Sequence, residues 1–111
     1  MEPISQKEIE DWLSELLVAA TPFDVIAVKA LAHKMGKSIL DKGYAPDDVR
    51  KFSHYFLKFY YAFIGGIEEE LQRNISLQED HFWLQRGLFK SLVPKLLNWQ
   101  TYEDITDGDE E

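Results

Sequence analysis

The chain has 111 residues, a formal net charge of −8 and a hydrophobic fraction of 45%. This length corresponds to one domain, and the apolar fraction is sufficient for a packed core. The sequence contains no cysteine, which excludes disulfides, thiolate metal sites and cysteine nucleophiles. Residues 103–111 contain six acidic residues and no basic residue, so their charge is −6. The charge of residues 1–102 is therefore −2, out of a total of −8. We therefore expect one helical domain over residues 1–102 and a disordered acidic tail over residues 103–111.

The charge and apolar patterns also bear on location. The N-terminus lacks the basic start and apolar run of a secretory signal, and no uninterrupted apolar run of about 18 residues occurs. The negative net charge argues against attraction to nucleic acid or to anionic lipid. The sequence therefore predicts a cytoplasmic protein without membrane contact.

A capping box marks the start of the first helix. Ser5 is followed three residues later by Glu8, a pair that satisfies free backbone N–H groups at a helix start. Apolar residues then recur at the spacing of one helical stripe. The stripe consists of Ile9, Trp12, Leu13, Leu16, Leu17 and Ala20. The pattern predicts a helix that ends at Thr21 and turns this stripe toward the core.

A second helix is predicted from Pro22, because proline is favoured at the first helical position. Thr21 would cap this helix with Asp24 in its first turn, and Gly43 would follow its end in the left-handed conformation. The expected core stripe is Val25, Val28, Ala32, Met35 and Ile39, with Leu31, Gly36 and Leu40 at its edges.

The third helix is predicted to begin at Pro46 and to end near Arg73, with acids in the first turn where the helix dipole favours them. Its apolar residues cover roughly 200° of the helix circumference, about twice the arc of a simple surface helix. They are Val49, Phe52, Phe56, Phe59, Tyr60, Phe63 and Ile67, widened by Tyr55, Leu57, Ile64 and Leu71. Gly65 and Gly66 interrupt the stripe, which predicts a kink or a close contact with another helix.

A second capping box, Ser76 with Glu79, predicts a fourth helix from Leu77. Its expected buried stripe is Leu84, Leu88 and Leu92. Pro94 lacks an N–H and its ring clashes with the preceding turn. We therefore expect a kink or a break one turn before Pro94, followed by a short helical piece to Trp99.

The four segments show no alternating strand pattern and are joined by short loops. This predicts an all-α fold, a four-helix antiparallel bundle with a long aromatic-rich third helix and a kinked fourth helix. Di-iron bundles need a glutamate three residues before a histidine, but Ala30, Lys51 and Gln78 precede the three histidines at that spacing. Phosphate loops and strained serine turns are also absent from the sequence. We therefore expect no catalytic residue, no metal and no cofactor, and thus no enzyme.

The width of the apolar arc on the third helix predicts self-association. A helix that is apolar on both flanks needs more neighbours than three other helices supply, and a homodimer would cover the second flank. The residues expected at this contact are Tyr55, Phe56, Phe59 and Ile64. A flat ligand between the aromatic side chains is the alternative cover.

Trp83 is the clearest candidate for contact with another protein. On the helical wheel it points away from the buried leucines and shares its face with Arg86 and Lys90. An exposed tryptophan beside an arginine is typical of an interface anchor, whereas packing under the tail is the alternative. Tyr61, on the far edge of the third helix, is a second candidate anchor. These residues predict a small non-catalytic regulatory or adaptor protein that binds another protein.

A basic ridge on the second helix supports a different function. Lys29, His33 and Lys37 recur every four residues, and Lys34 lies beside them. A short loop then leads to the third helix, so a helix-turn-helix that binds nucleic acid is the alternative prediction. The third helix, however, offers few side chains that could read base edges. A further interpretation is that the acidic tail folds over this ridge.

Overall fold

The computed structural model describes residues 2–20, 24–73 and 81–103, with side chains described for 2–20, 24–66 and 84–103. These ranges form four α-helices, α1 (Gln6–Ala19), α2 (Val25–Asp41), α3 (Pro46–Arg73) and α4 (His81–Leu97), and a short 3₁₀ helix at Trp99–Thr101. Consecutive helices contact each other and α4 also contacts α1, so the four helices close into a ring around one core. The prediction of an all-α fold with four packed helices is confirmed for this part of the chain.

The start of α1 is the predicted capping box. The Ser5 hydroxyl accepts a hydrogen bond from the backbone N–H of Glu8 at 3.1 Å. The Glu8 carboxylate in turn accepts one from the backbone N–H of Ser5 at 3.0 Å. Two N–H groups at the helix start are thereby satisfied within four residues of sequence.

The start of α2 differs from its prediction. The cap is Asp24, whose carboxylate accepts hydrogen bonds from the backbone N–H groups of Ile26 and Ala27, both at 3.1 Å. Asp24 was predicted in the first turn, with Thr21 as the cap, so that assignment is wrong. An aspartate in extended backbone conformation caps as well as a threonine does, and the helix begins directly after it. Thr21 itself lies outside the described residues.

The buried face of α2 is rotated relative to the predicted stripe. Its buried residues are Leu31, Met35 and Ile39. Val25, predicted in the core, is 50% exposed, and Ala32 is also exposed. α2 contacts both α1 and α3. The position of these two helices therefore determines which face of α2 is buried, and this face does not coincide with the centre of the apolar stripe.

A glycine in the left-handed conformation ends α2. Gly43 follows the C-cap Lys42 and has a φ of 101°, as predicted. Gly65 and Gly66 lie inside α3, where a Cβ at either position would meet no described atom within 4 Å. The predicted close contact of this glycine pair with another helix is therefore not observed.

Substitution by alanine is expected to change the stability of the fold in opposite directions at Gly43 and at Gly65. Gly43→Ala should lower the free energy of unfolding by about 1–2 kcal/mol, because a Cβ strains the left-handed conformation. Gly65→Ala should raise it by up to about 1 kcal/mol, because alanine favours helix and the site is open. Urea denaturation of both variants measures the difference. Equal stability of Gly43→Ala and the wild type would contradict the described end of α2.

The core is built from large apolar side chains of all four helices. Phe52 is fully buried, and its ring centre lies 5.8 Å from that of Trp12 and 5.7 Å from that of Trp99. Other large side chains with 1% exposure or less are Ile9, Leu13, Leu16, Ile39, Tyr55, Phe56, Tyr60, Leu88 and Leu96. The edge-to-face contacts at Phe52 join α1, α3 and the segment after α4, so this ring lies at the centre of the domain.

The surface predicted for self-association is covered by the chain itself. Tyr55 and Phe56 are each 1% exposed, and Phe59 and Ile64 pack against the core as partly buried side chains. The ring centre of Tyr102 lies 4.8 Å from that of Tyr55 and 5.3 Å from that of Phe59. The segment after α4 thus supplies a neighbour that the sequence argument assigned to a second copy. Tyr55 and Phe56 therefore do not reach the surface for contact with a second copy.

The fourth helix is continuous through its proline. α4 contains Pro94 and extends to Leu97, so the predicted break is not observed. Pro94 lies in the last turn, so the one hydrogen bond that its missing N–H removes is close to the end of the helix, and Asn98 Nδ2 donates a hydrogen bond to the Pro94 carbonyl at 3.0 Å. The side chains that α4 buries are Leu88, Leu92, Val93 and Leu96, and Leu84 is half-buried. The predicted capping box at Ser76 and the tail from residue 104 lie outside the described residues.

A membrane-spanning helix was not expected from the sequence. Within residues 2–20, 24–73 and 81–103, none of the helices combines the length and the apolar character needed to cross a lipid bilayer.

Candidate interaction surface

A concave surface beside α4 carries two of the predicted partner-binding residues. Arg86 and Lys90 lie one turn apart on α4, and both side chains are exposed. The concavity has a volume of about 670 Å³. It is lined by Gln6, Glu10, Phe63, Arg86, Gly87, Phe89, Lys90 and Ser91. These residues come from α1, α3 and α4, and we call this surface the α4 groove.

Gly87 shapes the apolar part of the α4 groove. A Cβ at this position would stand 2.9 Å from Cζ of Phe63, closer than such atoms approach in proteins. Glycine therefore allows the Phe63 ring to lie directly against the α4 backbone. Phe63 and Phe89 are half-buried, so each ring presents part of its surface to the groove.

The charged residues of the α4 groove are basic on the α4 side and acidic on the α1 side. Arg86 and Lys90 bring two positive charges from α4. On α1, Glu10 accepts a hydrogen bond from Gln6 Nε2 at 2.9 Å, which holds its carboxylate along α1. Aromatic rings beside an arginine and a lysine provide both apolar area and strong hydrogen-bond donors. The arrangement can bind an apolar side chain that is flanked by carboxylates.

The structure separates Tyr61 from this surface. Tyr61 is 48% exposed, but it lies two residues from Phe63 and therefore about 200° around α3 from the side chain that lines the groove. Its ring centre lies 5.3 Å from that of Tyr60. Position 83 lies in α4 one turn before Arg86 and Gly87, but the side chain of Trp83 is outside the described part of the chain. Of the predicted partner-binding residues, Arg86 and Lys90 are thus the two that the described structure brings together.

Tyr60 contributes to packing and not to acid–base chemistry. It is 1% exposed, and burial raises the pKa of its hydroxyl to about 12, with a smaller contribution from the neighbouring Tyr61. The phenol therefore stays protonated over the physiological range.

The basic ridge of α2 is exposed, but two of its cations have carboxylate partners. The ridge residues are Lys29, His33, Lys34 and Lys37, all on the surface. Lys34 Nζ lies 2.7 Å from Glu15 of α1, and Lys37 Nζ lies 3.7 Å from Asp41. These carboxylates offset part of the positive charge that nucleic-acid binding through this ridge would need.

Sequence reasoning missed a second basic surface, where α3 meets α4. Residues 49–67 and 81–102 together contain six lysines and arginines and no aspartate or glutamate. Lys51 Nζ donates a hydrogen bond to the carbonyl of Gln100 at 3.1 Å, and Lys95 Nζ lies 5.4 Å from the ring centre of Phe59. Together with Lys58 we call these lysines the basic seam. The one-sided charge of the two segments was the available signal, and the average charge of the whole chain concealed it.

Neither a metal-binding cluster among the described residues nor similarity to known proteins indicates a function. Among the described residues, no cluster of three histidines, aspartates or glutamates that could hold a metal ion occurs. The chain matches no family model, no curated protein and no solved structure.

Proposed function

We propose that this protein is a small non-catalytic adaptor or regulatory protein that binds another protein through the α4 groove. The observation that carries the proposal is the meeting of Phe63, Phe89, Arg86 and Lys90 in one concave surface. Apolar area supplies affinity, and charged donors at its edge select the partner and speed its association. The best-fitting partner segment carries an aromatic or large aliphatic side chain with acidic neighbours.

The walls of the α4 groove are helices of a packed domain, which favours binding without rearrangement. We infer that neighbouring helices run antiparallel, as the sequence predicted. Glu8, early in α1, accepts a hydrogen bond from Ser38, late in α2, whereas Glu15, late in α1, accepts one from Lys34, earlier in α2. On the other side, Gln85, early in α4, donates to Ser14, late in α1, at 2.9 Å. A surface built on such walls loses little conformational entropy on binding.

The proposal predicts which charges the partner needs. The double substitution Arg86→Glu with Lys90→Glu should weaken partner binding at least about tenfold, because it reverses both groove charges and repels carboxylates. The matched control is Lys29→Glu with Lys37→Glu on α2, which makes the same change in net charge and should alter affinity by less than about twofold. Affinity purification of the three proteins from the cells of origin, with quantitative mass spectrometry, identifies the partner, and calorimetry then measures affinity.

Two outcomes would contradict the proposal. One is a partner that the groove variant retains as well as the wild type does. The other is selective loss of binding in the α2 variant, above all of a nucleic acid whose affinity falls steeply with salt, since that result favours the basic ridge instead. Both variants alter exposed side chains, so unchanged circular dichroism and thermal unfolding are expected and serve as the folding control.

A further inference from the structure

The order of side chains across the α4 groove follows from the two helices that border α4. On one side, Gln85 of α4 donates a hydrogen bond to Ser14 of α1 at 2.9 Å. Glu10 lies one turn before Ser14 on α1, and Phe89 lies one turn after Gln85 on α4. With the two helices antiparallel, these steps run in the same direction, so Glu10 comes beside Phe89, and both line the groove. The carboxylate of Glu10 therefore lies at the α1 edge of the groove.

The other edge of the α4 groove belongs to α3, and the cations lie between the two edges. Phe63 of α3 lies against Gly87, where a Cβ would stand 2.9 Å from its Cζ atom. Gly87 and Gln85 are about 200° apart around α4, so α3 and α1 border opposite sides of this helix. Arg86 and Lys90 project from the arc between them, and both are exposed. The charge across the groove is thus negative at the α1 edge and positive along α4.

An α-helix fits the walls of the α4 groove better than an extended chain does. All three walls are helices, so they offer no strand edge whose backbone groups could pair with a bound strand. A helix satisfies its own backbone hydrogen bonds and can present one apolar row with a polar row on each side. Phe89 is half-buried and lies between the Glu10 carboxylate on one side and the cations on the other. This ring therefore offers contact to the apolar row, and the charges on its two sides face the two polar rows.

We infer that the α4 groove binds an amphipathic helix with acidic residues on one flank of its apolar row and a basic residue on the other. The inference rests on the proposed function, to which it adds the charge pattern and the direction of the partner helix. The acidic flank faces Arg86 and Lys90, and the basic residue faces Glu10. Turning the helix end for end would exchange its flanks and bring like charges together, which opposes binding in that direction. Glu10 therefore determines the direction in which the partner binds.

Selection from a peptide library tests this charge pattern on the full chain. The library displays helix-forming peptides with a fixed row of leucines and with aspartate, lysine or alanine at the positions on either side. Against the wild type we expect enrichment of peptides with aspartate on one flank and lysine on the other. Against Glu10→Lys, aspartate should replace the lysine, because the facing charge is reversed. The control Asp11→Lys makes the same change in net charge at an exposed position outside the groove and should select the wild-type pattern.

The affinities of single peptides then measure the contribution of Glu10. Calorimetry should show that the peptide enriched on the wild type binds Glu10→Lys about threefold to tenfold more weakly. Replacing the lysine of this peptide by aspartate should restore binding to the variant. Because restoration requires a folded groove, it distinguishes a lost charge contact from a loss of structure.

Two results would overturn the inference. One is enrichment of peptides with acids on both flanks that bind the wild type and Glu10→Lys equally but do not bind the double variant Arg86→Glu with Lys90→Glu. That result would support the proposed function, since the groove would then bind an acidic segment without regard to its direction. The other is a library that yields no peptide whose binding depends on Glu10, Arg86 or Lys90. The proposed function is tested separately, by the partner from the cells of origin, so the two failures are distinguishable.

Discussion

Replacing Phe52 with alanine is expected to lower the free energy of unfolding by about 3–5 kcal/mol, the largest effect of any change considered for this chain. Phe52 is 0% exposed, and its ring contacts Trp12, Phe56 and Trp99 at centre-to-centre distances of 5.8, 5.9 and 5.7 Å. Alanine would leave a cavity between three large rings that cannot all move inward. Because domains of this size are stable by about 5–15 kcal/mol, this single change brings the protein near its unfolding threshold.

The matched control lies on the same helix. Leu57 is 38% exposed, so Leu57→Ala should lower the free energy of unfolding by less than about 1 kcal/mol. Urea unfolding followed by tryptophan fluorescence reports both variants, since Trp12 and Trp99 border Phe52. If the two variants were equally stable, the described aromatic core would be incorrect.

The same unfolding experiment bears on self-association. Because Tyr55 and Phe56 are buried within the chain, the unfolding midpoint should not depend on protein concentration. A midpoint that rises with concentration would instead show that a folded dimer is present.

Glu8→Gln is expected to lower the free energy of unfolding by about 1–2 kcal/mol. The Glu8 carboxylate joins the start of α1 to the end of α2. It accepts a hydrogen bond from the backbone N–H of Ser5, lies 2.9 Å from Lys42 Nζ, and accepts a further hydrogen bond from the Ser38 hydroxyl at 3.3 Å. The Lys42 side chain is only 13% exposed, so a neutral residue 8 leaves a largely covered ammonium with only the exposed Glu2 carboxylate, 3.8 Å away, as its counter-charge.

The effect of Glu8→Gln should depend on pH in a defined direction. Partial burial acts to raise the pKa of the Glu8 carboxyl, but hydrogen bonds from Ser5 and the charge and hydrogen bond of Lys42 outweigh it, so the pKa lies below its ordinary value of 4.5. A carboxyl with a lowered pKa in the folded state stabilises the fold above its unfolded pKa. The difference between wild type and variant should therefore be full at pH 7 and shrink as the pH falls below about 4.5.

Asp11→Asn is the control for this titration. Asp11 pairs with Lys7 at 3.4 Å, but both side chains are more than half exposed, so the substitution should change stability by less than about 0.5 kcal/mol. Denaturation series at several pH values compare the two variants. A Glu8→Gln difference that grows toward low pH would contradict the described network.

Local signals in the sequence predicted the helical fold well. Ser5 with Glu8 marks the start of α1, Pro46 opens α3, and Gly43 ends α2 because each depends on backbone groups within a few residues. Two of the three leucines predicted to be buried in α4, Leu88 and Leu92, are buried, whereas Leu84 is half-buried. The prediction of a helix start was wrong where two nearby residues could each serve as the N-cap. Asp24 caps α2 itself, whereas the sequence predicted a cap at Thr21 with Asp24 in the first turn.

The candidate surfaces depended on contacts that local patterns do not contain. Arg86 and Lys90 were predicted from the helical wheel of α4, but their groove exists because Phe63 of α3 lies against Gly87. The basic seam likewise needs Lys51 of α3 beside Gln100. These pairs are far apart in sequence, so no spacing rule along one helix connects them.

By itself, the sequence determined which segments are helical and how much apolar surface each one carries, because capping and periodicity act over a few residues. Only the tertiary structure decided what covers that surface. The aromatic excess of α3 predicted a neighbour from outside the chain, but Tyr102 supplies part of that cover, and the chain's own packing covers Tyr55 and Phe56. Helical periodicity measures how wide an apolar face is, whereas the identity of its neighbour depends on how the whole chain folds back.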